Sequence, residues 1–335
     1  MNLLLLLDLL LITALLTTAW RILTSSDIFQ AIVLFISFGL FLAMVWLRLS
    51  APDIALAEAG VGAGLTGVLF LGTFKGLNPG AGTFQETEET RPCRLDRPEA
   101  CPARIHHLAA LAGVLGLFVL LGSAICDLPQ TAGGLSALVT GALKPGGIEH
   151  PVTAVLLDFR LYDTWLELAV LILALLGVLG AGGRRSIPQL DPPFEQNPVL
   201  LWLVRLLIPV ALATAVYLLL LGDHAPGGAF QAGVILASGL TLLWLSGYRS
   251  VAGLPGWLWY TLVICGFASI EILAICTSWL QGVQVLGYPD GLAKPLMLIL
   301  ETMAALSIGC ILATLTVETL TGKDTSGPGE SRGDS

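Results

Sequence analysis

The chain has 335 residues, of which 55% are hydrophobic and 12% are charged, and its formal net charge is −8. Such a composition is too apolar for a soluble globular domain, so we expect a polytopic membrane protein. The acidic residues are spread over short connectors and the sequence has no basic patch, so nothing indicates a nucleic-acid partner.

Runs of about 20 apolar residues match the roughly 30 Å hydrocarbon core of a bilayer. The sequence contains about nine such runs, which predicts an all-α fold with membrane-spanning helices near 3–20, 26–48, 52–74, 107–126, 152–183, 198–221, 227–247, 256–278 and 294–318. The fifth run is longer than a bilayer requires, so its first part is expected to be interfacial or tilted.

The first apolar run could be mistaken for a signal peptide. It has no basic residue before it, carries Asp8 and lacks a small-residue cleavage site, so we interpret it as a mature helix. Alternating spans then place three basic residues, Arg48, Lys144 and Lys294, on one side and eleven on the other. The positive-inside rule therefore predicts an N-terminus outside and a cytoplasmic C-terminus. We expect a multi-pass protein of the cell inner (plasma) membrane.

An ionisable carboxylate, Glu58, lies inside the third apolar run, APDIALAEAGVGAGLTGVLFLGTF. A charge in hydrocarbon costs at least about 2.5 kcal/mol, so Glu58 is a hypothesis for a functional site, with a buried, hydrogen-bonded helix anchor as the alternative. Asp53 follows Pro52 in the first turn, where we interpret it as a helix-start residue. Small residues on one face of this helix let another backbone approach closely: Gly60, Gly64 and Gly67.

Polar connectors divide the apolar runs into blocks. We predict a three-helix membrane domain over 1–75, a cytoplasmic loop over 76–106, a two-helix domain over 107–185, a four-helix domain over 186–320 and a disordered tail over 321–335. The longest connector is too short to fold as an independent catalytic domain. Any chemistry is therefore expected in the membrane or on partner subunits.

The six cysteines do not predict a metal site. Cys93 and Cys101 flank a segment of the predicted cytoplasmic loop, where a stable disulfide is not expected and the spacing matches no common zinc pattern. The other cysteines lie in or near apolar runs, where free cysteine packs as a small hydrophobe.

Four ionisable residues are concentrated in the apolar segment 150–171: Asp158, Arg160, Asp163 and Glu167. On a helix Arg160 and Asp163 are three residues apart, and Asp163 and Glu167 are four apart, so both pairs can meet. The group could hold a proton or a cation through paired charges. Alternatively, the first three residues form an interfacial salt-bridge cap and only Glu167 lies deep in the membrane.

A third polar group lies between the sixth and seventh runs, in LGDHAPGGAFQAGV. His224 titrates near neutral pH in its unperturbed state and could relay protons, although a single histidine in a loop is often structural. Glu271 and Glu301 are further acids inside predicted spans. Each could extend a proton path or bond to a polar side chain on a neighbouring helix.

These motifs resemble subunits of the Mrp-type, multisubunit Na⁺/H⁺ antiporters. APDIALAEAGVGAGL resembles a short membrane domain at the C-terminal end of the large A subunit, which also occurs as a small subunit of membrane-bound hydrogenases. HPVTAVLLDFRLYDTWLELAVLILALLGVLG resembles the domain that follows it. The last four spans, including LLGDHAPGGAFQAGVILA, resemble the antiporter B subunit. The blocks are fused here, without the large proton-pumping domain that normally precedes the first two.

The resemblance implies a membrane subunit of a cation/proton antiporter complex, in which Na⁺ is exchanged for H⁺. It implies ion-path roles for Glu58, Asp158, Asp163, Glu167 and His224, and in our interpretation Arg160 tunes the charge of the acids near it. We expect no cofactor and no tightly bound metal ion, with transient Na⁺ at Glu58, Asp163 and Glu167.

The expected partners are other membrane subunits of the complex, including large proton-channel subunits, together with Na⁺, H⁺ and membrane lipids. The chain itself is expected to act within a secondary transporter rather than as an enzyme. Two alternatives remain: an ion-translocating subunit of an energy-converting, hydrogenase-like respiratory complex, and a scaffold subunit that carries no ions.

Overall fold

The computed structural model describes residues 3–77, 103–128, 134–143, 148–181, 198–247, 255–279, 285–289 and 291–321. Every regular element among these residues is helical. The predictions for Cys93, Cys101, most of the loop around them and the tail beyond residue 321 lie outside the described residues.

The described residues form twelve α-helices and two π-helical segments: α1 (Leu3–Thr24), α2 (Ile28–Arg48), α3 (Pro52–Ala57), π1 (Glu58–Leu65), α4 (Thr66–Leu77), α5 (Ala103–Cys126), α6 (Ser136–Ala142), α7 (Pro151–Ala154), π2 (Val155–Phe159), α8 (Leu161–Ala181), α9 (Pro198–Leu221), α10 (Ala229–Leu245), α11 (Gly256–Trp279) and α12 (Ala293–Thr321). The segments α3, π1 and α4 follow one another without a break.

Seven of the described helices are long and apolar enough to cross a bilayer: Leu3–Thr24, Ile28–Arg48, Pro52–Phe74, Leu161–Ala181, Pro198–Leu221, Gly256–Trp279 and Ala293–Leu320. Two shorter apolar helices, Ala110–Cys126 and Ala229–Leu245, coincide with the remaining predicted runs. The predicted all-α, polytopic membrane fold is therefore confirmed. Which side of the membrane each terminus occupies stays a prediction.

The chain divides into two compact units, one formed by Met1–Pro79 with Leu143–Ser335 and the other by Gly80–Ala142. The smaller unit contains α5 and α6. Large apolar side chains of α5, such as Phe118 and Val119, are exposed. The larger unit contains all the other helices and the site described below.

The over-long fifth run is interrupted at Arg160. This residue has φ −134° and ψ 37°, so the helix that begins at Pro151 ends at Phe159 and α8 starts afresh at Leu161. The break leaves Thr164 Oγ1 free to donate a hydrogen bond to Leu156 O at 2.8 Å. The first part of the run is thus a short helix of its own, and its interfacial or tilted position stays a prediction.

Small residues bring α10 and α11 against α12. A Cβ at Gly266 of α11 would lie 2.8 Å from Ser307 Cβ, and one at Gly233 of α10 would lie 2.8 Å from Ile308 Cβ. Helices in lipid associate mainly through such close packing, since the surrounding lipid is as apolar as leucine. These contacts place α12 in the centre of the larger unit.

The N-terminal ends of α3, α7, α10 and α12 meet at one end of this unit. Asp223 connects three of them: its backbone carbonyl accepts hydrogen bonds from the Glu149 and His150 amides at 3.1 and 2.9 Å, and Lys294 Nζ lies 3.0 Å from its Oδ2. The Gly227 amide donates to Asp53 Oδ1 at 3.1 Å and joins α3 to the start of α10. This convergence positions the site.

Candidate functional site

A cleft of about 890 Å³ opens below the converging helix ends, between α3, α7 with π2, α8, α10 and α12. Most of its wall is apolar, but it is also lined by the carboxylates of Asp53, Asp163, Glu167 and Glu301. The side chains of Thr153, Thr164 and Gln231 add neutral polar groups. Several acids in one apolar cleft of a membrane protein indicate a function that needs their charge.

Helix ends account for the presence of two of these acids, Asp53 and Asp163. Each helix N-terminus carries roughly half a positive charge and unpaired amide hydrogens, which favour a nearby carboxylate. Asp53 and Asp163 lie in the first turns of α3 and α8. The cleft thus concentrates negative side chains where the backbone supplies compensating positive potential.

Glu301 is the most buried of the cleft carboxylates, with 6% of its surface exposed. It approaches the start of α10 at Gly228, where an added Cβ would lie 3.5 Å from Glu301 Oε1. Gly228 has φ +113°, a backbone conformation that only glycine adopts easily. A glycine is therefore needed for this turn, which lies beside the carboxylate.

Asp163 and Glu167 line the cleft on successive turns of α8. Arg160 Nη2 forms an ion pair with Asp163 Oδ2, so the predicted i, i+3 pair is confirmed. The Arg160 side chain is largely exposed, which makes the pair a surface feature of the helix start. The structure therefore brings three predicted acids, Asp163, Glu167 and Glu301, into one cleft.

Asp158 does not line this cleft. It lies in π2 on the side that faces the connector before α12, where Tyr288 donates a hydrogen bond to Leu157 O at 2.7 Å. Burial, together with the negative charges of Asp158 and Glu301, raises the pKa of Tyr288. The phenol therefore stays protonated at physiological pH and keeps its hydrogen bond.

Glu58 also lies outside the residues that line the cleft. Its carboxylate folds back over its own helix and occupies the space beside Gly62, in the π-helical segment π1. The side chain is partly buried. An ion-path role for Glu58 stays a prediction.

Two further predicted residues are separate from the cleft. His224 is about half exposed, with Nδ1 3.2 Å from Glu149 Oε2 and Nε2 3.4 Å from Asp223 Oδ2. Glu271 is exposed on the outer surface of α11, beside Ile272. Within the described residues, no group of three or more His, Cys, Asp or Glu side chains is arranged to hold a metal ion.

Sequence analysis missed two residues at the helix ends. Asp53 does begin a helix, but its carboxylate also lines the cleft and bonds to the Gly227 amide. His150 was not selected, yet its Nε2 lies 3.6 Å from Asp53 Oδ2. One sequence signal was available: each residue adjoins a proline that begins a helix, Pro52 or Pro151. Buried helix ends need polar partners, so residues at these positions are candidates for such contacts.

Two family models match separate parts of the chain. Residues 13–79 match MbhD, the model for the D subunit of MBH, and residues 199–320 match a domain related to the MnhB subunit of Na⁺/H⁺ antiporter. A curated relative, the probable A/B subunit of a K(+)/H(+) antiporter from Rhizobium meliloti (strain 1021), is 25% identical over 62% of this chain. The match spans 23% of that relative's length.

Two solved structures share the fold. One chain in the structure of the Mrp complex from Dietzia sp. DQ12-45-1b aligns with 95% of this chain at a TM-score of 0.68 and 23% identity, over 35% of its own length. A chain of the membrane-bound sulfane sulfur reductase, an archaeal respiratory membrane complex, aligns with 64% of this chain at a TM-score of 0.53 and 21% identity, over 98% of its own length.

Proposed function

We propose that this chain, an Mrp-type A/B fusion by its domains, is a membrane subunit of a multisubunit cation/proton antiporter in the plasma membrane. The observation that carries the proposal is the cleft in which Asp163, Glu167 and Glu301 line a largely apolar wall. The family models and the curated antiporter relative support the same function. In this proposal the chain contributes to the ion path and to assembly of the complex, and it performs no enzymatic reaction.

The chemistry follows from charge. An ionised carboxylate attracts a small cation, whereas a protonated one has lost that attraction, so binding a proton releases the cation. Asp163 and Glu167 bind Na⁺ transiently in this scheme, with Glu58 as a further position on the route. Arg160 is paired with Asp163, and its positive charge weakens the attraction of that acid for a cation. The chain needs no resident cofactor for this exchange.

Partner subunits complete the transporter. The chain spans about a quarter of the curated relative that it matches and about a third of its Mrp-complex neighbour. We therefore propose that other antiporter membrane subunits, including large subunits with proton channels, assemble with it in the lipid bilayer. Na⁺ is the proposed cation, with K⁺ as the alternative that the name of the curated relative suggests.

The likeness to a chain of a respiratory membrane complex favours a second candidate function. In that case the same helices would couple ion movement to a redox reaction on peripheral subunits. The two functions differ in their partners, because iron–sulfur subunits would co-purify only with the second. Absence of cation-dependent exchange together with such subunits would reject the antiporter in favour of this candidate.

The decisive experiment measures the collapse of a pre-formed pH gradient by Na⁺ or K⁺ in inverted vesicles that contain the whole complex. Glu301→Gln and Glu58→Gln are compared with wild type at equal assembly, and Asp8→Asn serves as the matched control because Asp8 lies in α1, away from the cleft. We expect Glu301→Gln to reduce the rate at least about tenfold, whereas Asp8→Asn keeps it. Equal rates in all variants would make this chain a scaffold.

A further inference from the structure

His150 occupies a defined position between two polar partners at the helix-start end of the cleft. Its Nδ1 lies 3.2 Å from Thr153 Oγ1, and its Nε2 lies 3.6 Å from Asp53 Oδ2. Only 13% of the His150 side chain and 15% of the Asp53 side chain are exposed. The ring is therefore held by the fold and largely screened from solvent.

The hydrogen bonds around Thr153 determine which nitrogen of the neutral ring carries hydrogen. A threonine hydroxyl has one hydrogen, and Thr153 Oγ1 donates it to Gly222 O at 2.6 Å. The oxygen can then only accept from His150, so Nδ1 must be the protonated nitrogen. In the neutral ring, Nε2 consequently points an unprotonated lone pair toward Asp53.

That arrangement is unfavourable for neutral histidine beside an ionised aspartate and becomes favourable when Nε2 binds a proton. Asp53 is held as an anion by the Gly227 amide, which donates to its other oxygen, Oδ1, and by the start of α3. The added proton therefore belongs on His150, where it converts a repulsive contact into an ion pair.

The other charged groups at this end of the cleft have partners of their own. Glu149 faces His224, and Asp223 faces both His224 and Lys294, on the side of the α9–α10 connector. From α12, Glu301 approaches Gly228 and adds negative potential to the cleft. Asp53 is thus the carboxylate that lies against the His150 ring itself.

We propose that His150 is a proton-binding residue that loads protons into the carboxylate cleft, holding each proton at Nε2 against Asp53. The binding of the proton follows from local geometry alone, whereas its use in exchange rests on the proposed function. Asp53 stays ionised as the partner of the charged ring, and Glu301, on the other side of the start of α10, is the cleft carboxylate that accepts the proton from His150 during exchange.

The direct test is a ¹⁵N NMR titration of the histidine rings in the full chain, labelled at histidine and reconstituted in lipid nanodiscs. The chain has four histidines, so His150→Gln identifies the relevant signals. In wild type we expect the neutral ring to carry its hydrogen on Nδ1. This measurement needs no other variant, and a neutral ring with its hydrogen on Nε2 would overturn the proposal.

Asp53→Asn tests the role of the carboxylate. In the variant, the charged form of the His150 ring loses the carboxylate that faces its Nε2, so the midpoint measured in the NMR titration should move to lower pH. Glu149→Gln is the matched control, because it removes a carboxylate next to His150 in sequence that faces His224 instead. It should leave the His150 midpoint in place. An unchanged midpoint in Asp53→Asn would reject Asp53 as the partner.

The transport test uses the assembled complex in the vesicle assay, over a range of pH. Loss of the Asp53 charge should shift the alkaline limb of the rate profile to lower pH by the interval seen in the NMR titration, and Glu149→Gln should not. A shifted titration with an unshifted rate profile would refute proton loading by His150. Failure of the complex to exchange any cation would instead refute the proposed function and leave the NMR result standing.

Discussion

Helices α1 and α12 are equally hydrophobic and occupy opposite environments. The apolar spans in both helices have a mean hydropathy of 2.2. However, only 6% of the α1 span is buried inside the protein, whereas 67% of the α12 span is buried. Leucines dominate α1, whereas α12 contains Ala, Ser, Gly, Cys and Thr between its larger residues. In a membrane protein, hydropathy therefore identifies a span, and small residues identify the face that packs against other helices.

The polar residues of the two helices differ in the same way. Asp8 of α1 pairs with Arg48 at the helix ends, where Arg48 Nε lies 2.8 Å from Asp8 Oδ1 and both side chains remain well exposed. Ser307 of α12 is fully buried and donates to Val263 O of α11 at 2.5 Å. Buried hydroxyls in lipid need such acceptors, because no water is present to supply one.

The largest expected effect comes from blocking the close approach of α11 to α12. In Gly266→Leu, the new side chain would meet Ser307 Cβ and the backbone of Ala304, and neither can move aside. We expect about 3 kcal/mol of destabilisation, which should appear as a reduced amount of folded chain in detergent by size-exclusion chromatography. Gly177→Leu in α8 is the matched control, because nothing lies within 4 Å of its Cβ position. Equal loss in both variants would contradict the packing of α11 on α12.

Truncation of a large side chain should also have different effects on stability in α12 and in α1. Ile311 of α12 is fully buried, whereas Leu10 of α1 is 58% exposed. Ile311→Ala leaves a cavity and should lower the free energy of unfolding by about 2 kcal/mol. This value is at the low end of the range for soluble proteins, because an apolar side chain outside the protein contacts lipid and not water. Leu10→Ala should change it little. Denaturation in SDS measures both, and a similar loss in each variant would mean that α1 is buried too.

The connector before α12 provides a smaller, pH-dependent effect. Tyr288→Phe removes the hydrogen bond to Leu157 O and should cost about 1 kcal/mol at neutral pH. Burial raises the pKa of Tyr288 above its ordinary value of about 10, so the folded state holds the phenol proton more tightly than the unfolded state does. This contribution is therefore complete below about pH 10 and is lost as the pH rises further. The difference in melting temperature between wild type and Tyr288→Phe should shrink above pH 10; a constant difference would contradict the assignment.

The smallest effect is expected at the end of α1. Asp8→Asn removes the ion pair with Arg48, and exposed pairs of this kind contribute about 0.2 to 1 kcal/mol. Thermal melting in detergent at low and high salt should show a small loss that salt reduces further. A loss as large as that of Ile311→Ala would place this pair in a buried environment.

Local sequence features were sufficient for much of the fold. Hydropathy and length predicted the spans because both are properties of contiguous residues. The pair formed by Arg160 and Asp163 was predictable for the same reason, since residues three apart share one helix face. The convergence of helix starts was implied only indirectly, by the alternation of spans.

The position of each acid relative to the cleft was decided by tertiary structure. Asp53 and Glu58 lie five residues apart in one continuous helix, yet Asp53 lines the cleft and Glu58 does not. The rotation of that helix is set by contacts such as Gly60 against Val234 and Gly67 against Ile36. The sequence by itself therefore determined the membrane class, the spans and the acidic motifs. Only the tertiary structure decided that Asp53 and Glu301 line one cleft and that His150 lies against Asp53, because such contacts join residues far apart in the chain through packing that no local pattern records.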